Sequence, residues 1–395
     1  MYHSPKAGSR LTFLSCSACG KQYDAHHLNT FATCCIKPLL VNYDLRGAPG
    51  RHILAGRPGN MWRYREFLPV INEANIVSLG EGFTPVMQVT KAAAEYGLTQ
   101  VFLKDEAYNP TGSFKARGLS MAISKAKELG VVACIVPTAG NAGGALSAYC
   151  AKAGMKATVI MPAITPQIFA DECVLHGADV LLLDGLINEC GKKAGEISRE
   201  TGAFDISTLK EPYRIEGKKT MGYEIAEQFN WELPEVIIYP AGGGTGLIGI
   251  WKAFIEMKEM GWITGPLPRM IAVQSGNCQP VVKAFDDKRG VSNSYSGPAA
   301  SVANGLAVPY PFGLDLMLKV LEESGGMALS VTEEEIVAGV REMAIREGLL
   351  LCPEGAAVWK AMIKLKGSGI LQGAEKVLLI NTGSGYKYLD QVMRQ

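Results

Sequence analysis

From about residue 100 onward the chain repeats one pattern: a short apolar run followed by a helical stretch. Val101–Leu103 precedes a helical pattern near 113–129, and Val131–Val136 precedes one near 141–153. Ala157–Met161, Val180–Leu183, Val236–Tyr239, Met270–Val273 and Val377–Ile380 follow the same rule. A strand buried on both faces needs no polar alternation, and a helix returning the chain to the same end makes neighbouring strands parallel. The pattern predicts an α/β protein built on parallel sheets. Thr332–Glu335 reads Thr-Glu-Glu-Glu ahead of an apolar-periodic stretch, the signature of a capping box. Ligands of such sheets collect outside the carboxyl ends of the strands, so the glycine-rich segments at those ends come under scrutiny first.

PAGGGTGLIGIWKAF (240–254) follows the run Val236–Tyr239 and leads into a helix. Three consecutive glycines let backbone N–H groups converge, Thr245 adds a hydroxyl, and the helix start adds its positive dipole end. Together they form a phosphate cradle that needs no charged side chain. The other reading is a tight strand-to-helix turn. The loop lacks the G-x-G-x-x-G of a dinucleotide site and the Gly-Lys-Ser/Thr of a nucleotide P-loop. PTAGNAGGALSAYCAKAG (137–154) has the same strand-to-helix setting. Free N–H groups around Ala139–Ala142 can hold a carboxylate, and Asn141 either reaches a ligand or caps the helix.

NPTGSFKARG (109–118) places Lys115 at a predicted helix start, with Arg117 nearby. A lysine amine is a nucleophile only when neutral; burial, a cationic neighbour and a helix N-terminus all favour that form. A first-turn lysine directed to water is the competing reading.

The segments SLGEGFTPV, NPTGSFKARG, AGNAGGA, RIEGKKT, GGGTGLIG, PEGAA and NTGSGYKY occur in that order. In this set the chain resembles the bacterial threonine-synthase branch of the fold type II (β-family, tryptophan-synthase-β-like) pyridoxal-phosphate enzymes, from about residue 10 to 390. The resemblance implies pyridoxal 5′-phosphate between two parallel-sheet α/β domains. The smaller spans 120–220, inserted in a larger one made of 76–119 and 221–395; residues 1–75 form a zinc-ribbon-like appendage and arm. It implies Lys115 as the lysine joined to the cofactor aldehyde and later as proton carrier. Asn141 is implied at the phenolic oxygen, and Gly242, Gly243, Gly244, Thr245 and Gly246 at the phosphate. Thr382 is implied at the pyridine nitrogen, with Ser384 as the nearby alternative. A hydroxyl there leaves that nitrogen largely unprotonated and suits β- and γ-elimination better than transamination.

The implied reaction is that of a carbon–oxygen lyase acting on phosphate: O-phospho-L-homoserine and water give L-threonine and phosphate. Thr138, Ala139 and Gly140 are then substrate contacts. STLKEPYRIEGKKT (207–220) supplies cations for the substrate phosphate. Arg214 leads, because a guanidinium grips phosphate as a fork, and Lys218 follows; Lys219 is read as part of a solvated helix face. Many threonine synthases read Ser-Thr-Gly-Asn-Thr where this chain has Thr138-Ala139-Gly140-Asn141-Ala142, so two phosphate-binding hydroxyls are missing, and Ala116 stands where an acid is common. Two other functions stay open. One is β-replacement or β-elimination of the cysteate-synthase or serine/threonine ammonia-lyase type; the other is a catalytically silent ligand-binding relative. Homodimers are usual among the relatives.

The first 75 residues differ in composition, with four of the chain's ten cysteines. Cys16-x-x-Cys19 followed by glycine is a common zinc knuckle, and Cys34 and Cys35 offer a second pair, with His26 or His27 to complete the set. Adjacent cysteines tend to diverge, so the alternatives are a structural zinc and a ribbon held by packing alone. The start MYHSPKAGSRLTFLSC has no apolar leader core. No apolar run approaches the roughly 20 residues of a membrane span. A net charge of +1 gives no footprint for nucleic acid or anionic membrane. A cytoplasmic protein is expected, its cysteines reduced rather than in disulfides.

Overall fold

The computed structural model describes residues 8–291 and 295–394, so the first seven residues of the start segment lie outside the described part. Three sheets organise the molecule. At the N-terminus β1 (Leu11–Cys16), β2 (Gln22–Tyr23) and β3 (Leu39–Tyr43) form an antiparallel sheet in the order β2-β1-β3. β4 (Val86–Val89), β5 (Val101–Asp105), β10 (Val236–Pro240), β11 (Arg269–Ser275), β12 (Met327–Val331) and β13 (Val377–Asn381) form a six-stranded sheet in the order β12-β11-β10-β13-β5-β4. All its pairings are parallel except β4 against β5. β6 (Ala133–Pro137), β7 (Lys156–Pro162), β8 (Asp179–Leu183) and β9 (Phe204–Asp205) form a parallel sheet in the order β8-β7-β6-β9.

Each apolar run read from the sequence forms a strand. The central strands β10 and β13 are buried at every position, as helices on both faces require. Val131 and Val132 fall in the short connection between the turn at 129–130 and β6. β12, whose Met-Ala-Leu-Ser-Val mixes partly and fully buried positions, and the two-residue β9 are weaker signals that the run-and-helix pattern misses. The capping box is present: Thr332 Oγ1 accepts from Glu335 N at 3.2 Å, and Thr332 N donates to Glu335 Oε2 at 2.7 Å.

The helix Tyr213–Gln228 packs against both Lys115–Glu128 and Thr245–Glu259. Gly217 lets it approach so closely that a Cβ there would collide with the carbonyl of Arg117. Two ion clusters sit inside this layer. Arg117 is fully buried between Glu106 (Nε–Oε2 2.6 Å) and Glu224 (Nη2–Oε2 2.7 Å), with Lys104 Nζ 3.0 Å from Glu224. Lys219, expected on a solvated face, is also fully buried, 2.7 Å from Glu216 and 3.0 Å from Glu256. Tyr43 of β3 donates to Glu216 at 2.7 Å and so ties the N-terminal sheet to the body.

β13 lies between β10 and β5, so the chain leaves the carboxyl ends of these three neighbours into three adjacent loops. They are 106–114 after β5, 241–244 after β10 and 382–384 after β13. This is the crevice where the strand order reverses.

Candidate active site

The loop after β5 is held to the end of β13: Phe114 N donates to Thr382 O at 3.0 Å, and Ser113 bridges Gly383. Parallel pairing of two strands distant in sequence thereby sets Lys115 beside Thr382. Lys115 is the first residue of its helix, half-buried, and its Nζ lies 3.9 Å from the Phe114 ring centroid. Burial, and next the positive charge of Arg214, lower its pKa to about 8, against the opposing pull of Glu354 and Cys352. The cationic neighbour is thus Arg214; Arg117, suggested by sequence proximity, is spent on Glu106 and Glu224. Lys218 is buried behind Lys115, its Nζ donating to the Phe114 carbonyl, and burial followed by the charges of Lys115 and Arg214 hold its pKa well below the lysine range.

Lys115 opens into a cavity of about 370 Å³. Its wall includes Thr138, Ala139, Gly140, Asn141, Arg214, Gly242, Gly243, Gly244, Thr245 and Thr382, which the structure brings together from three loops and the start of the helix Tyr213–Gln228. Lys218, Gly246 and Ser384 lie outside the wall. Ser384 caps the turn that follows, accepting from Tyr386 N at 3.3 Å, and a Cβ on Gly246 would collide with the Tyr239 hydroxyl.

The geometry accommodates a phosphorylated cofactor at the glycine loop. The N–H groups of Gly242, Gly243, Gly244 and Thr245 find no protein acceptor among the described residues, at the start of a 15-residue helix. Gly244 has φ 83°, and a Cβ on Gly242 would strike the Gly305 carbonyl, so the cradle needs glycine at both places. Across the cavity Asn141 does not cap its helix. Its Nδ2 donates to Tyr388 Oη at 3.3 Å, while its buried Oδ1 is left without a partner. A buried orphan acceptor is costly unless something occupies the space before it. Thr382 is buried, its Oγ1 3.8 Å from Cys352 Sγ.

The 138–142 loop is partly spoken for: Gly140 N donates to Thr138 Oγ1 at 3.1 Å, while the N–H groups of Ala139, Asn141 and Ala142 find no acceptor among the described residues. Arg214 is buried, and among the described residues it has no ion pair; Nη1 donates to Ile206 O at 2.8 Å, and Nε finds no partner there. Sequence reading missed several wall residues. Lys192 and Asn188 come from the helix Ile187–Thr201, which no glycine-rich loop announces. Glu354 and Tyr388 lay within the quoted PEGAA and NTGSGYKY segments without a role. Glu354 Oε1 accepts from Gly305 N at 2.7 Å and from Tyr388 Oη at 3.2 Å.

Away from the cavity, Cys16, Cys19, Cys34 and Cys35 bring their four Sγ atoms within 4.8 Å of one another. The adjacent pair converges where divergence was expected. Neither histidine joins them; His27 pairs with Asp24 at 2.8 Å.

Solved structures share this architecture. Maize serine racemase superposes with a TM-score of 0.66 at 23% identity, over 79% of this chain and 91% of the racemase. Diaminopropionate ammonia lyase from Escherichia coli gives 0.67 at 16%, over 82% and 92%. Residues 77–383 match the family described as pyridoxal-phosphate dependent enzyme, and the chain belongs to that family. Two of its relatives are the threonine synthases of Methanocaldococcus jannaschii and Methanosarcina acetivorans. The first is 33% identical over 96% of this chain and 94% of its own; the second is 32% identical over 94% and 91%. No helix among the described residues is long and apolar enough to cross a membrane.

Proposed function

We propose that this protein is a threonine synthase, converting O-phospho-L-homoserine and water to L-threonine and phosphate. The observation that carries the reading is one cavity whose wall holds two sets of groups suited to an anion. One is the glycine loop. The other is a cationic wall of Arg214, Lys192 and Lys210, none of which takes an ion-pair partner among the described residues. A substrate with its own phosphate needs the second. The full-length likeness to threonine synthases points the same way.

In this reading Lys115 would hold the cofactor aldehyde, Asn141 its ring oxygen, the loop from Gly242 to Thr245 its phosphate and Thr382 its ring nitrogen. When bound, pyridoxal phosphate supplies an electron sink that weakens the C–H bonds of the attached amino acid. Lys115 Nζ, with its pKa near 8, would take a proton from Cα and one from Cβ, deliver one to Cγ once phosphate has left, and return one to Cα after water has added. The open N–H groups of Ala139, Asn141 and Ala142 receive the substrate carboxylate. Arg214, with Lys192 and Lys210, supports the negative charge as phosphate leaves Cγ, doing by charge what the missing hydroxyls at 139 and 142 do elsewhere. Water then adds at Cβ. Inward rotation of the 120–220 region over the cavity would keep other water out. A cytoplasmic homodimer completes this reading.

The test is to incubate the pyridoxal-phosphate-loaded protein separately with phosphohomoserine, phosphoserine, serine and threonine. Threonine and phosphate in equal amounts from phosphohomoserine are expected. Ammonia and a keto acid from serine or threonine, without threonine formation, would assign β-elimination instead. Ligand binding without turnover would assign a silent relative.

A further inference from the structure

Three of the four N-terminal cysteines are exposed, yet their sulfurs gather at one point. Burial of small apolar groups therefore does not explain the cluster. Cys16 ends β1 and Cys19 lies in the turn after it, closed by Gly20 N to Cys16 O at 3.0 Å. Cys34 and Cys35 sit in a loop pinned by the Ala32–Lys37 bridge. That loop turns at Ile36 with φ 52°, a conformation a β-branched side chain seldom adopts. Cys19 and Cys34 Sγ stand 3.5 Å apart, and the whole set lies within 4.8 Å. Four thiolates about 2.3 Å from a tetrahedral zinc ion stand about 3.8 Å from one another. Soft sulfur ligands in a closed set of four suit a structural zinc.

The same loop touches the catalytic body at two points. Phe31 meets Phe312 edge-to-face with centroids 5.9 Å apart, and Lys37 Nζ lies 2.5 Å from Asp315. Phe312 is also in the wall of the catalytic cavity. Its neighbour Gly313 and the following Met317 back the glycine loop: Met317 fills the space a Cβ on Gly244 would need.

We propose that Cys16, Cys19, Cys34 and Cys35 hold one zinc ion as four thiolates, and that the ion fixes the 31–37 loop against Phe312 and Asp315 and so braces the cofactor's phosphate cradle. The site is distinct from the substrate assignment and stands whatever amino acid the enzyme uses.

Metal analysis of the full-length protein, purified without chelator, should find one zinc per chain. Cobalt substitution should give the visible bands of a tetrahedral thiolate complex, and the double variant Cys34→Ser, Cys35→Ser should lose the metal while the body's helical circular dichroism stays. Protein that holds no zinc even after zinc is supplied, that holds iron instead, or whose double variant keeps its zinc overturns the site. Stripping the zinc should weaken pyridoxal-phosphate binding roughly fivefold or more, the lower range of coupling between distinct sites. Phe31→Ala, which keeps all four cysteines, should weaken it in the same direction with zinc retained. Unchanged cofactor affinity in both would overturn the brace.

Discussion

A lysine becomes useful to this chemistry by losing its proton, and Lys115 is prepared for that by burial and by Arg214. With a pKa of about 8, roughly a tenth of the amine is neutral at pH 7, hundreds of times more than for a free lysine. Because the shift is downward, the rate at which the apoprotein takes up cofactor should climb with pH and level off above about 8, followed by the absorbance of the loaded enzyme. Lys115→Arg should keep the fold and lower turnover by at least the 10²- to 10⁴-fold that proton transfer contributes. Arg214→Ala should reduce kcat/KM for phosphohomoserine about tenfold to a hundredfold, the worth of one or two charge-assisted hydrogen bonds. Because Lys115 also loses its cationic neighbour, the pH at which cofactor uptake levels off should rise, while the uptake reached on that plateau stays nearly intact, which separates the substrate anion place from the cofactor one. Lys115, Asn141 and the glycines were legible in the sequence because glycine and helix-start positions carry local signals. Arg117 and Lys219 were misread because their partners are set by folding: Glu224 lies 107 residues from Arg117, and nothing local announces it.

The helix Lys115–Glu128 carries its lysine on a rigid base, and the Glu106–Arg117–Glu224–Lys104 cluster supplies much of that rigidity. Removing the guanidinium leaves two fully buried carboxylates facing one ammonium. Arg117→Met should therefore destabilise the protein by about 3–5 kcal/mol, measured as a fall in the urea midpoint. Apolar runs betrayed the central strands, since only a strand covered on both sides can dispense with polar residues. In the N-terminal sheet only β3 begins with such a run, Leu39–Val41, and the convergence of Cys34 with Cys35 depends on a backbone turn at Ile36 that composition does not encode.

At the scale of the whole molecule, strand order does what no single motif can: β13 between β10 and β5 gathers loops that are well over a hundred residues apart in the chain. The ion cluster beneath also sets acid tolerance. Burial would raise the Glu106 pKa, but Arg117 outweighs it and holds it at about 2. Its folded value is below its unfolded one, so this contribution is present above pH of about 4.5 and is lost as pH falls toward 2. Unfolding midpoints measured across that range should fall, and fall less in the Arg117→Met variant. The most direct test of the whole account is to reduce the cofactor-loaded enzyme with borohydride, digest it and locate the pyridoxyl group by mass spectrometry. The account predicts a single modified peptide with the group on Lys115; modification of Lys218, of any other lysine, or of none would contradict it.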